Sequence, residues 1–351
     1  MTNSKTSLAA ILLLLLCTNV WAATQKPAAK PKPKPSPVLG AKQFSGENAQ
    51  FGTTYTLGKD APVNFTLNSA EYTVGRVPCG SERIIPTVDE KTLVIHFTVQ
   101  NPRPEEAVFN WATLSYTAVD INNASHEYTQ YIAFEKGNQT VDISLKPGQK
   151  LDAYTTILVP ARGIVPKLIV KSQDNLVLRY DLRGKIKPLA APFLDPNCQL
   201  NGTEDKVVEA DKKGANALAI IPAQLEVYYP TGSFDTKVIG FSYTNSAINE
   251  NDPSEGGRFL VVLLIVKNQQ SDERHINWAQ IQPEVKTTDG EKLEWNQEML
   301  LKSRDAQVDQ TINPGDEMTV RFYFDLPSSS EAKTFTLQEG DNGRCYSYSV
   351  K

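Results

Sequence analysis

Leu93-Val-Ile-His-Phe-Thr-Val-Gln-Asn101 and Leu260-Val-Val-Leu-Leu-Ile-Val-Lys-Asn268 are the two stretches whose reading decides the fold. The first leads through Asn110-Trp111-Ala112 and Lys146-Pro147-Gly148 to Pro160. The second leads through Asn277-Trp278-Ala279 and Asn313-Pro314-Gly315 to Pro327. All these landmarks are displaced by the same 167 residues, as are Pro86 and Pro253 and the pairs Asp174-Asn175 and Asp341-Asn342. A single offset held from Pro86 to Asn175 marks a duplicated folding unit.

Within the unit the apolar period is two. Leu93, Ile95, Phe97 and Val99 alternate with Val94, His96 and Thr98, and Met318, Val320, Phe322, Phe324 and Leu326 alternate with Thr319, Arg321, Tyr323 and Asp325. Such alternation belongs to half-buried strands. Pro147-Gly148 and Pro314-Gly315 fit type II turns, with proline fixing the first φ and glycine supplying the positive one. Asn122-Asn123 and Asp289-Gly290 are expected to form tight type I′ hairpin turns. Strand-like runs recur between turn signals with no long helical pattern. The expected fold is all-β: two immunoglobulin-like antiparallel β-sandwiches in succession. Further strands are expected at Thr53–Leu57 and Val63–Leu67 in the first unit, and at Ala223–Tyr229 and Lys237–Tyr243 in the second.

The order of features is a hydrophobic strand ending in Asn, a charged loop, a Trp-containing strand, a hairpin, Pro-Gly, and a strand ending in Pro. It resembles a bacterial immunoglobulin-like family of secreted proteins known as a domain of unknown function. Some members of that family carry a misleading "telomeric repeat-binding factor" label. The second copy fits better, because Asp289-Gly290 stands where the first has Asn122-Asn123. The resemblance implies an immunoglobulin-like sandwich and an envelope or secreted location. It carries over no catalytic residue.

Ahead of the repeat, Lys5, the apolar run Leu8–Cys17 and Val20-Trp21-Ala22 read as a secretory signal peptide cleaved after Ala22. Lipidation at Cys17 is the less favoured alternative, since Leu16 sits where a small residue is expected. Residues 23–48 form a Pro/Lys-rich tether that favours an extended polyproline conformation. Domain 1 is expected at 49–185, a linker at 186–217 and domain 2 at 218–351. No later stretch is long and apolar enough to span a membrane. The expected location is therefore secreted or periplasmic. The chain has 36 basic and 40 acidic residues. Setting aside Lys5, Lys26, Lys30, Lys32, Lys34 and Lys42 leaves 30 basic residues against 40 acidic ones. An acidic body argues against nucleic acid as a partner.

Chemistry-bearing motifs are sparse. His96, His126 and His275 occupy unrelated positions in the repeat, with no ligand-spaced companions, so no metal or other cofactor is expected. The acidic loop Asn249–Glu255 is rich in oxygen ligands but fits no defined calcium motif. Three cysteines follow the signal: Cys79, Cys198 and Cys345. A bridge between Cys198 and Cys345 is favoured slightly over one between Cys79 and Cys198. Trp111 and Trp278 recur at equal positions and are read as core anchors. Tyr128 and Trp295, also equivalent, are candidate surface contacts. Val261, Leu263 and Ile265 stand where the first copy has Val94, His96 and Thr98. That second apolar face is expected to be covered by linker residues between Val207 and Ile221, by domain 1, or by a partner. The expected function is non-catalytic: protein interaction or a structural role in the cell envelope, with an envelope or secreted protein as partner. The alternative is carbohydrate or cell-wall binding, with Tyr346, Tyr348 and Tyr128 as candidate aromatics.

Overall fold

The computed structural model describes residues 38–194 and 216–350, the Glu82 side chain excepted. The signal segment with Cys17, the Lys/Pro run up to Pro37, and Cys198 lie outside the described residues. β1 (Thr54–Leu57), β2 (Val63–Thr73) and the short hairpin β3 (Val77–Cys79) and β4 (Glu82–Ile84) open the first half. The duplicated block follows as β5 (Glu90–Gln100), β6 (Ala107–Asn110), β7 (Leu114–Val119), β8 (Ser125–Phe134), β9 (Asp142–Leu145) and β10 (Lys150–Pro160). β11 (Lys167–Ser172), β12 (Val177–Asp181) and β13 (Ile186–Lys187) complete this half. The second half begins with β14 (Ile220–Pro222), β15 (Tyr229–Pro230), β16 (Phe234–Thr244) and β17 (Arg258–Asn268). It continues with β18 (Arg274–Asn277), β19 (Ile281–Thr287), β20 (Leu300–Leu301), β21 (Asp309–Ile312), β22 (Glu317–Leu326), β23 (Ala332–Glu339) and β24 (Cys345–Ser349). No α-helix occurs among the described residues, and none of their helices is long and apolar enough to cross a membrane.

The fold is all-β. In the first half one layer runs β1-β2-β5-β10-β8 and the other β8-β7-β11-β12. β8 serves both layers, pairing with β7 through Ser125–Glu127 and with β10 from Tyr128 onward. Gln130, just beyond the change of partner, has φ 61° and lies where the β10 ladder slips, between Tyr128 opposite Ile157 and Ile132 opposite Thr155. A strand that changes sheet needs such a local bend. In the second half β15-β16-β17-β22-β20 faces β14-β24-β23-β19. Each half buries its own apolar core: Phe65, Phe97, Tyr116 and Leu168 belong to the first, Val262, Leu264, Phe322 and Phe335 to the second.

The duplication is repeated in the hydrogen bonds. The buried Asn101 donates through Nδ2 to the carbonyls of Glu105 (2.6 Å) and Leu145 (2.8 Å), and its Oδ1 accepts from the Arg103 amide (2.9 Å). Asn268 does the same with Asp272 (2.8 Å), Ile312 (2.9 Å) and Gln270 (2.9 Å). The backbone of each asparagine also holds its Pro-Gly turn: Gly148 donates to Asn101 and Gly315 to Asn268, both at 2.8 Å. Both turns are type II as expected, with φ 75° at Gly148 and 82° at Gly315. β2 and β16 share a bulge opposite the same step of the partner strand, between Leu67 and Ser69 and between Val238 and Gly240.

Several expectations are corrected. The hairpins at Asn123 and Gly290 are not type I′, because positive φ occurs only at Asn123 (62°) and Gly290 (90°) and not at the residues before them. Asn123 donates to the Asp120 carbonyl and Gly290 to that of Thr287, so each is a type I turn followed by one left-handed residue. Trp111 is no core anchor: it is 47% exposed. Its counterpart Trp278 is half-buried, edge-on to Trp295 at 6.4 Å. Ala41, placed in the tether by its sequence context, hydrogen-bonds β1 through Thr54 and Thr56. Ile186 and Lys187, placed in the linker, form β13 on the edge of β2. Ala223–Tyr229 forms no continuous strand; only its last residue enters β15.

Two arginines join the halves in opposite directions. Arg76 reaches from the first half to the Asp235 carboxylate and the Gly232 carbonyl. The buried Arg344 reaches from the second half to the carbonyls of Thr87 (2.9 Å) and Glu90 (2.6 Å). Burial pulls the Arg344 pKa below the usual arginine range, opposed by Tyr346, Asp89 and Glu90. The Val88 amide donates to the Asn342 carbonyl at 2.9 Å, and the Ser271 hydroxyl to that of Ser81 at 2.6 Å.

Two outcomes are expected. Asn101→Ala and Asn268→Ala each strand one buried carbonyl, Leu145 or Ile312, and leave a part-buried carbonyl and amide without their partner, and each should lower the stability of its own half by about 1–3 kcal/mol. Urea titration resolves the halves by Trp111 fluorescence in the first and Trp278 and Trp295 fluorescence in the second. A loss below about 0.5 kcal/mol in both, within the range of an ordinary surface substitution, would contradict the clamp. Arg344→Ala should speed hydrogen exchange at the Val88 amide while leaving the Asn101 amide protected. Unchanged exchange at Val88 would show that the arginine does not hold the junction.

Candidate functional site

The two halves differ most along the outer edge of β2 and β16. In the first half most of that edge is paired. β1 pairs with Val63–Thr66, and β13 pairs in parallel farther along, Ile186 against Ala70 and Lys187 against Glu71. Lys187 Nζ lies 2.8 Å from Glu71 Oε2, and Lys185 Nζ sits 5.5 Å over the Phe51 ring. Phe51 in turn meets Tyr180 edge-on at 6.1 Å. Ile186 packs against the core and Leu189 is buried in it, so the chain leaving β12 closes the mouth between the two sheets.

In the second half the same positions are open. Registers against β5 and β17 make Ser69, Ala70 and Glu71 equivalent to Gly240, Phe241 and Ser242. Ala49-Gln50-Phe51 corresponds to Ala223-Gln224-Leu225. Ala49 and Ala223 each donate at 2.8 Å to the last-sheet carbonyls of Arg179 and Ser347. Gln50 and Gln224 each donate to a tyrosine hydroxyl, Tyr55 at 3.0 Å and Tyr229 at 3.1 Å. β15 pairs only with Asp235 and Thr236, and Glu226 bonds Val238; among the described residues no strand pairs with Phe241 or Ser242 on that side. A groove of about 440 Å³ remains, lined by Ala223, Gln224, Leu225, Gly240, Phe241, Tyr348 and Ser349. Leu225 and Tyr243, flanking it, are each 42% exposed, and the Arg258 guanidinium lies 4.6 Å from the Tyr243 ring centroid. An open edge beside exposed apolar side chains is a template for pairing with another chain.

The residues singled out in the sequence fall elsewhere. Tyr128 is half-buried, packed edge-on to Tyr116 at 5.4 Å, and its hydroxyl donates to the Trp111 carbonyl. Trp295 packs on Phe322 at 5.8 Å. Tyr346 and Tyr348 are core residues rather than surface aromatics, because β24 turns them between the sheets. Val261 is covered by its own half: it packs against Ile248, Phe259, Leu300 and Tyr323. Leu263 and Ile265 are half-buried, and the linker residues Leu218 and Ile221 enter the second core instead. In the acidic loop Asn249 is tied to Asp305 and Glu298, Asn251 to Tyr323, and Ser254 to Asp325. Among the described residues no cluster of three acidic, histidine or cysteine side chains could hold a metal.

A second groove, of about 300 Å³, lies over His96. His96 Nδ1 is 3.1 Å from Glu135 and Nε2 is 3.7 Å from Glu71, so both ring nitrogens already have partners. The Tyr154 hydroxyl donates to the Pro78 carbonyl, and burial pushes its pKa upward. Cys79 lies beneath, buried with Val94 and Ala133; burial pushes its thiol up to about 11, which leaves it unreactive at neutral pH. Cys79 and Cys345 are thiols here.

Sequence reasoning missed the edge groove, although a signal was present. Ala49-Gln50-Phe51 with Tyr55 and Ala223-Gln224-Leu225 with Tyr229 share one internal spacing, but they are 174 residues apart. A search at the block's offset of 167 passes over them.

Residues 230–344 match the family model described as "Domain of unknown function (DUF4352)". Among solved structures the chain is similar to an uncharacterized β-sandwich protein from Clostridium difficile 630, with 17% identity and a TM-score of 0.29, over 36% of this chain and 92% of that one. It is also similar to the secreted protein MPT63 from Mycobacterium tuberculosis, with 16% identity and a TM-score of 0.28, over 37% of this chain and 96% of that one. No curated protein matches the chain.

Proposed function

We propose that the chain is a non-catalytic protein-binding protein acting outside the cytoplasm, and that its second half carries the binding site. The observation that supports this is the difference between the copies. The groove beside Ala70 is filled by the chain's own β13, and the equivalent groove beside Phe241 is open. A site already shaped to take a polypeptide strand favours a polypeptide ligand. The extracytoplasmic location rests on the signal-like residues 1–22. The first half is read as a diverged copy of the domain matched at 230–344, on the strength of the shared asparagine clamps.

One observation favours carbohydrate as the second reading: Trp111 is exposed beside Tyr128. Photo-crosslinking separates the two. The full chain, with a photoreactive residue at Leu225 or, as a control, at the exposed Val108, is irradiated in cell-envelope extract. Protease-sensitive adducts at 225 and not at 108 are expected. Equal labelling at both positions, or retention on a glycan matrix that Trp111→Ala abolishes, would overturn the protein-binding reading.

A further inference from the structure

Resting on that reading, we infer that the second half takes an extended peptide as a parallel strand on β16. An apolar side chain of the peptide would lie in the groove beside Phe241, and a carboxylate farther along the peptide would meet Arg258.

The direction comes from the first half. There the occupant runs parallel to β2, and it is the same edge at the same register: Ala70 faces Ile186, and Ala70 is the counterpart of Phe241. The apolar anchor follows from the lining. Leu225, Phe241 and Tyr348 stand where the first half has Phe51, Ala70 and Tyr180; there Ile186 pairs with Ala70 and packs against the core, and Lys185 Nζ lies over the Phe51 ring. The apolar walls differ in shape, since Phe241 is larger than Ala70 while Leu225 is smaller than Phe51, and the groove between them stays open at about 440 Å³.

Charge completes the description. In the first half Lys187 answers Glu71; in the second Ser242 replaces that glutamate, so a lysine there would have no carboxylate to meet. A neutral residue is expected next to the anchor. Arg258, stacked on Tyr243, lies at the end of β16 toward which a parallel peptide runs. Its guanidinium has donors left over while it stacks on the ring, so a side-chain or terminal carboxylate fits there.

The test uses the full chain and a short acetylated peptide, Lys-Ile-Thr-Pro-Leu-Asp. This is the chain's own Lys185–Leu189 with threonine in place of the second lysine and an added aspartate. Saturable binding is expected, with amide NMR shifts confined to Gly240–Tyr243 and Leu225. A spin label at the peptide's C-terminus should broaden Thr244 and Arg258 rather than Phe234. Leu225→Asp and Leu225→Lys each charge the groove's exposed wall; each should weaken binding by about tenfold or more, about 1.4 kcal/mol. Replacing the peptide isoleucine with aspartate should do the same. No binding, broadening at Phe234 instead, or indifference to both variants would overturn the inference. If crosslinking at Leu225 still yields polypeptide adducts, the protein-binding reading survives without it.

Discussion

A single buried side chain sets the geometry of each half. Asn101 and Asn268 stand at the end of the central strand, and from that point one amide group reaches both the loop after it and the end of the short ladder β6-β9 or β18-β21. The asparagine backbone meanwhile fastens the Pro-Gly turn that starts the neighbouring central strand. No other residue type supplies two donors and an acceptor at that reach without a charge to bury. With these bonds made, β5 and β10, or β17 and β22, enter the sheet in fixed register, and the alternating apolar faces follow from it.

The cores are therefore alike, and the halves differ at their rims. The first half uses the chain leaving its last strand to close the mouth between its layers. The second leaves an unpaired stretch of β16 beside a groove with aromatic and aliphatic walls. Because the two arginines crossing the junction fix the halves together at the β2 and β24 ends, that groove sits on a supported surface.

Much of this architecture was legible in the residues. The alternation in 93–99 and 318–326, the Pro-Gly turns and the common offset pointed to two all-β units, because each reflects a local rule: strand period or turn stereochemistry. What could not be read depended on contacts distant in sequence. The recurrence of Trp111 and Trp278 suggested shared burial. Burial, however, depends on what lies opposite: Trp295 covers Trp278, and the smaller Tyr128 leaves Trp111 exposed. Tyr346 and Tyr348 looked like surface aromatics because alternation alone does not say which face is inward. The hairpins were misjudged by a single torsion, since asparagine and glycine tolerate positive φ without requiring it at both positions. The groove was hidden because its walls come from three segments with three different displacements.

The connector between the halves is itself a wedge. Ile186 and Leu189 belong to the first sandwich as much as any strand inside it. Severing the protein just after Asp181 would thus not release two self-sufficient pieces: the upstream fragment would lose its plug and acquire a vacancy of the kind its sibling already has, while the downstream fragment would lose nothing of its own interior. The two sandwiches are unequal as spare parts, because residues as far along as Ala217 still line the first interior.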